Sequence, residues 1–244
     1  MSRWQLPGAP GFLAWFLTFH FSALSRVKLQ RFHDNAIRPD IIEPGKPRYE
    51  QLSGRWRTDF FPKPFPLTLE VGCGKGEYTV GLAQRHPHRN FLGLDIKGER
   101  IWCGSSRAAE LGLANVGFVR MRAEALAAQF GPGELAEIWI TFPDPRPRDR
   151  DRKRRLTSPR FLALYEQLLT PGGRLHLKTD NEDLFAFTLE ILTARPGATV
   201  ERFTRDLYAE TAPEFLQAQA IQTNFEGKYR AVGVSIRYVQ FRVS

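Results

Sequence analysis

From Leu67 onward the chain alternates short apolar runs with stretches whose apolar residues recur at helical spacing, and this alternation decides what it can fold into. LTLEV reads as a buried strand ended by the glycine loop GCGKG; EYTVGLAQRH reads as the helix that follows, and NFLGLDI as a second strand. Residues 98–112 read as helical, VGFVRM as the third strand, and AEIWITF as the fourth, bounded by Pro143. SPRFLALYEQLL sets Ser158 as N-cap and Pro159 at the first helical position, with apolar residues at 161, 164, 165 and 168. PGG then turns the chain into a fifth strand, RLHLKT. Residues 182–194 read as another amphipathic helix, and AVGVSIRYVQFRV as a long final strand. Strands alternating with helices require right-handed crossovers, so the predicted fold is α/β: a doubly wound, mostly parallel sheet covered on both faces.

What precedes Leu67 is less regular. GFLAWFLTFHFSAL, within residues 1–26, is apolar but too short to span a bilayer. It reads as a hydrophobic extension, or as the product of an overextended start with Val27 as the true beginning. Residues 34–66 are rich in proline and poor in periodic apolar positions, so 27–66 is expected to be an extended arm or linker before a domain at 67–244. A net charge of +9 and a pI near 9.9 point to a polyanionic partner, nucleic acid before an anionic membrane. Cys73 and Cys103 are too few for a disulfide framework or a four-ligand zinc site, and a reducing cytoplasm fits them. The five histidines show no metal-ligand spacing, and no metal is expected.

The loop after the first strand carries the chemistry. Glu70 ends that strand, and Gly72, Gly74 and Gly76 follow in the spacing G-x-G-x-G. A dinucleotide fingerprint needs G-x-G-x-x-G, and a phosphate-binding loop needs Ser or Thr after its lysine, whereas Gly76 follows Lys75 here. In a doubly wound sheet this first turn borders the ligand crevice, and glycines let backbone approach a ligand closely. The form E-x-G-x-G-x-G resembles the first motif of class I S-adenosylmethionine methyltransferases. Asp95, at the end of the second strand, can accept hydrogen bonds from both ribose hydroxyls of such a donor, or can serve as a turn acid. Glu70 can bind the donor or act as a buried acceptor for backbone N–H groups.

The fourth strand runs into FPDPRPRDRDRKRR, in which Asp144 is clamped by Pro143 and Pro145 and followed by seven cations, Arg146 to Arg155. Its end lies across the same crevice from the glycine loop, so Asp144 is expected near the donor. The cations suit phosphate contacts that hold a substrate in register. FPDP with its basic stretch, KTDN after the next strand and TNFE near the C-terminus together resemble the bacterial tRNA (guanine-N7-)-methyltransferase family. The resemblance runs from about Val27 to the C-terminus. It implies a seven-stranded Rossmann-like class I methyltransferase fold, S-adenosyl-L-methionine as donor with S-adenosyl-L-homocysteine as product, and tRNA as partner of a monomer or homodimer. It also implies Glu70 and Asp95 as donor-binding acids and Asp144 as the active-site acid that contacts the donor. Arg148 stands for a substrate-binding lysine, and Asp180, Thr223, Asn224, Phe225 and Glu226 for contacts to the tRNA guanine. Two positions depart from the family: Arg146 replaces a frequent tryptophan, and Arg122 replaces a donor-binding Asp or Asn. The adenine contact there falls to the Arg122–Ala123 backbone or to Glu124.

Guanine N7 presents a free lone pair in its neutral form and needs no deprotonation before attack, so no well-placed histidine is required. A carboxylate accepting from guanine N1–H and N2–H would strengthen as the purine becomes cationic, and Asp180 or Glu226 is expected in that role. A methyltransferase acting on another RNA or on a small molecule, and a non-catalytic RNA-binding module, are the competing readings.

Overall fold

Eight strands form one sheet in the computed structural model, which describes residues 27–244. Residues 1–26, with the apolar extension read from the sequence, lie outside the described residues. A helix over residues 27–37 (α1) leads to a two-residue strand, β1 (Ile41–Ile42). Then come β2 (Leu67–Val71), α2 (Glu77–Arg85), β3 (Asn90–Asp95), α3 (Gly98–Glu110), β4 (Val116–Arg120), α4 (Leu126–Gln129) and β5 (Leu135–Thr141). The second half holds α5 (Pro159–Leu168), β6 (Leu169–Thr179), α6 (Glu182–Ala194), β7 (Thr199–Thr204), α7 (Leu216–Gln219), α8 (Asn224–Ala231) and β8 (Arg237–Arg242). The strand order is β1-β4-β3-β2-β5-β6-β8-β7; β8 alone runs against its neighbours.

Every residue of β2 and β3 is buried, as expected of parallel strands covered on both faces. Side chains alternate between the two faces along each strand. Leu92, Leu94, Ile138 and Ile140 join Phe161, Tyr165 and Phe185 of α5 and α6 on one side. Phe91, Phe118 and Trp139 join Tyr78, Leu82 and Ile101 of α2 and α3 on the other. The order of the sheet reverses on either side of β2, and its carboxyl end therefore opens a crevice between β2 and its neighbours.

Four features differ from the sequence reading. The sheet has one strand beyond the expected seven, because Ile41–Ile42 pairs in parallel with β4. The segment expected as an extended arm is built into the core: Trp56 is fully buried, stacks on Phe130 at 5.4 Å and donates its indole N–H to the Gln129 carbonyl at 2.6 Å. PGG does not form a turn but lies within β6, where the pairing with β5 shifts register. The long final strand is shorter than expected, since α8 runs to Ala231 and β8 begins only at Arg237. Ser158 does hold the N-cap position of α5, with Pro159 at the first turn, yet its hydroxyl donates to the Lys153 carbonyl instead of capping the helix.

Candidate functional site

The carboxyl ends of β2, β3, β4 and β5 border two adjoining cavities of about 340 Å³ each, which share Gly72, Arg100 and Phe142 as common wall. The glycine loop shapes both. Gly72 and Gly74 hold φ of +84° and +57°, and no atom lies where a side chain would begin, so their backbone faces open space. Gly76 has a different requirement. A Cβ there would stand 2.7 Å from Phe118 and 2.9 Å from the Gly104 backbone, so glycine lets α2 settle against α3 and the sheet. The loop is tied to β3 by the N–H groups of Gly72 and Cys73, both donating to the Leu94 carbonyl at 2.8 Å.

Asp95 finishes β3 and is 7% exposed. One carboxylate oxygen accepts from Gly74 N–H at 3.0 Å and the other from Lys97 N–H at 2.8 Å. It therefore fixes the loop while facing the second cavity, which it lines. Glu70 is 2% exposed and lines the first cavity. It accepts from the hydroxyls of Thr79 and Thr141, and the Thr79 backbone N–H also faces it. Burial pushes its carboxyl above the usual range, and the two hydroxyls only partly offset this.

Arg122, Ala123 and Glu124 follow β4 and line the second cavity together with Ile96, Lys97 and Asp144. Glu124 faces Arg122 at 3.7 Å and Arg160 at 3.4 Å. Asp144 sits in an unusual turn. Phe142 and Arg146 both adopt left-handed φ, +47° and +49°, on either side of the Pro-Asp-Pro triplet. Non-glycine residues hold such torsions only where surroundings impose them, and functional sites are where they gather. The Asp144 side chain is 61% exposed, accepts from Arg146 N–H at 3.1 Å and pairs with the Arg146 guanidinium at 3.1 Å.

The opposite wall comes from the start of α8. Thr223, Asn224 and Phe225 line the first cavity, and the Phe225 ring lies 5.3 Å from that of Phe142 and 4.5 Å from that of Tyr229. Thr223 and Glu226 form a capping box at this helix end. Glu226 is not on the cavity wall. It is wholly buried, with Lys178 at 2.9 Å and the Tyr208 hydroxyl donating at 2.8 Å, so its carboxylate is already satisfied by the protein. Lys178 also donates to the Ala218 and Ile221 carbonyls at 2.8 and 3.2 Å. Burial pulls its ammonium below the ordinary lysine range, and the charge of Glu226 works against that. Asp180 and Arg148 do not line either cavity. Asp180 is half-buried, its carbonyl taking a hydrogen bond from Arg237, and Arg148 is exposed.

The seven cations do not act as one patch. Arg146 pairs with Asp144, Arg152 lies 3.5 Å from Glu190, and Arg154 pairs with Asp151 while reaching the second cavity. Arg155 is buried, its guanidinium 4.5 Å over the Phe187 ring. Arg148, Arg150 and Lys153 remain outward. Among the described residues no group of three or more His, Cys, Asp and Glu gathers to hold a metal, and no helix is long and apolar enough to cross a membrane. Sequence reasoning passed over Lys178, although a lone charge within LHLKT is a signal of pairing. It also passed over Glu77, Arg100 and Lys228 of the first cavity, whose types are ordinary on any surface.

A family model described as "Putative methyltransferase" matches residues 64–238. A tRNA (guanine-N(7)-)-methyltransferase of Porphyromonas gingivalis is 46% identical over 190 residues, covering 78% of this chain and 76% of that protein. One of Cytophaga hutchinsonii is 43% identical over 219 residues, covering 89% and 98%. Among solved structures, the 16S rRNA methyltransferase KamB matches with a TM-score of 0.57 at 16% identity, over 73% of this chain and 88% of that one, a likeness of fold. With sequence identity sustained across most of both chains, this protein belongs to the tRNA (guanine-N(7)-)-methyltransferase family.

Proposed function

We propose that the protein transfers a methyl group from S-adenosyl-L-methionine to N7 of a guanine in the variable loop of tRNA. The observation that carries this reading is the convergence of Asp95, Gly72 and Asp144 on one cavity, with the rest of the glycine loop and the Thr223–Phe225 wall on the adjoining one. The residues present fit the donor. Asp95 is an acceptor for its ribose, the 122–124 turn and Ile96 flank space for its adenine, and the acids and cations of the first cavity suit its zwitterionic end. When bound, the donor supplies an electrophilic methyl on a sulfonium sulfur.

The protein's own part is placement and charge. Guanine N7 attacks through its lone pair, so the enzyme holds that atom in line with the methyl and removes no proton. Phe142, Phe225 and Tyr229 form an aromatic edge on which an extruded purine can stack, offsetting the few kcal/mol lost when the base leaves its tertiary stack. The exposed Asp144 carboxylate stabilises the positive charge that grows on the purine. Arg146 keeps it in place, and Arg148, Arg150 and Lys153 are available to phosphates. Because Glu226 is enclosed, it supports the acceptor wall from behind, and Asp180 is the carboxylate left for the tRNA side.

Purified full-length protein, given methyl-labelled donor and tRNA lacking the modification, should place label on guanine N7, read by nucleoside digestion and mass spectrometry. A tRNA that stays unlabelled at N7 while small acceptors or other RNAs take label would overturn this reading.

A further inference from the structure

Among the described residues, the side chains of the acceptor wall at residues 223–226 tie it to the rest of the molecule. Phe225 meets Phe142, and Glu226 is enclosed with Lys178. A further tie comes from the donor side. Glu77 directly follows Gly76 and is the first residue of α2. One of its carboxylate oxygens accepts the Asn224 backbone N–H at 2.7 Å, and the other accepts the Asn224 side-chain amide.

Helix ends explain why this contact forms. Asn224 is the first residue of α8, and the first N–H groups of a helix have no intrahelical partner. Thr223 satisfies the N–H of Glu226 through its hydroxyl at 3.1 Å. Glu77 satisfies that of Asn224. Its negative charge thereby sits at the amino ends of two helices, α2 and α8, where carboxylates are favoured. The side-chain amide of Asn224 is then committed to Glu77 and not turned toward a base.

We propose that Glu77 is a positioning residue, a latch that registers the acceptor wall at Asn224 against the donor-binding glycine loop. This rests on the methyl-transfer reading above. A two-substrate transfer depends on the distance between the halves of the site, and an error near 1 Å can cost about a hundredfold in rate. Glu77 is where the two halves are directly hydrogen-bonded, through residues that both line the first cavity.

The polarity of the contact gives its test. In Glu77→Gln the amide oxygen can still accept the residue 224 N–H, and Asn224 must turn its own amide over to offer an oxygen to the new NH₂, so this variant disturbs the contact least. Asn224→Asp sets two carboxylates against each other. Combined, E77Q/N224D restores one donor to one acceptor. Assayed well below their melting midpoints, N224D should lose about tenfold to a hundredfold in kcat and E77Q less. Their KM for tRNA should change little, and donor-binding stoichiometry by calorimetry should stay near one. The double variant should recover to within about threefold of wild type, with the midpoint recovering alongside. Three outcomes would overturn the latch: a double variant no faster than N224D, N224D as fast as wild type, or midpoints that move while kcat does not. If wild type itself leaves tRNA unmethylated, the functional reading fails instead. The bond is then judged by whether the midpoint of N224D falls and the double restores it.

Discussion

Asp144 shows what a single residue reveals in sequence and what it hides. Two flanking prolines announce a rigid acid after a buried strand, and the residue does line the expected cavity. The left-handed torsions of Phe142 and Arg146 were not legible, because neither residue type favours positive φ and only the surrounding contacts impose it. Nor did the sequence tell which way the TNFE side chains face: Thr223, Asn224 and Phe225 reach the cavity wall, whereas Glu226 turns inward to Lys178. A motif records which residues occur together, not their rotamers. Since the Asp144 side chain is mostly exposed and its partner Arg146 is a neighbour in the chain, the fold does not depend on it. Asp144→Ala is expected to lower kcat at least about a hundredfold, the usual loss of about 3 kcal/mol for a transition-state contact. The thermal midpoint should stay within a few degrees of wild type. Near-normal turnover would remove Asp144 from the mechanism.

At the scale of elements, long helices and buried strands were readable because their period is set by burial of a whole face. The elements missed lack that signal. β7 is an edge strand whose sequence, TVERFT, is largely polar, and the core role of Trp56 depends on Phe130 and Gln129, which are distant in sequence. The segment from α7 into α8 is held to β6 by one buried ion pair. The Lys178 ammonium bonds two carbonyls, Ala218 and Ile221, as well as Glu226. Removing one partner of such a pair leaves an uncompensated charge in the interior, typically at a cost of about 3–5 kcal/mol, whereas replacing both by apolar residues is often close to neutral. Lys178→Met should therefore lower the free energy of denaturant unfolding by about that amount, and K178M/E226L should recover a large part of it. If K178M unfolds at the wild-type denaturant concentration, the pair does not anchor the acceptor wall.

For the whole molecule, charge and stability are coupled toward the amino end of β5, away from the two cavities at its carboxyl end. Glu137 at the start of β5 faces His176 of β6 at 2.8 Å, takes the Trp139 indole N–H at 2.8 Å and pairs with Arg89; His176 in turn meets the Tyr238 hydroxyl of β8 at 2.8 Å. Burial pushes the Glu137 carboxyl up, but the hydrogen bond and charge of His176, with Arg89 behind them, outweigh it and hold the group at about 2. A carboxyl depressed from its ordinary value contributes stability that is complete above about 4.5 and is lost as pH falls toward 2, on the order of 3 kcal/mol in all. Glu70 has the opposite sign: burial raises it, so its ionisation costs stability as pH climbs through and past the carboxylate range. The acid slope of the wild type mixes both, and a variant is needed to separate them. Glu137→Gln keeps the size of the side chain but cannot titrate. Its deficit against wild type should be full just above about pH 4.5 and shrink steadily between about pH 4.5 and 2. Methylation at neutral pH should survive the change, because Glu137 lines neither cavity. A deficit independent of pH would mean that shape, and not the ionised carboxylate, is what the strands β5, β6 and β8 require at that point.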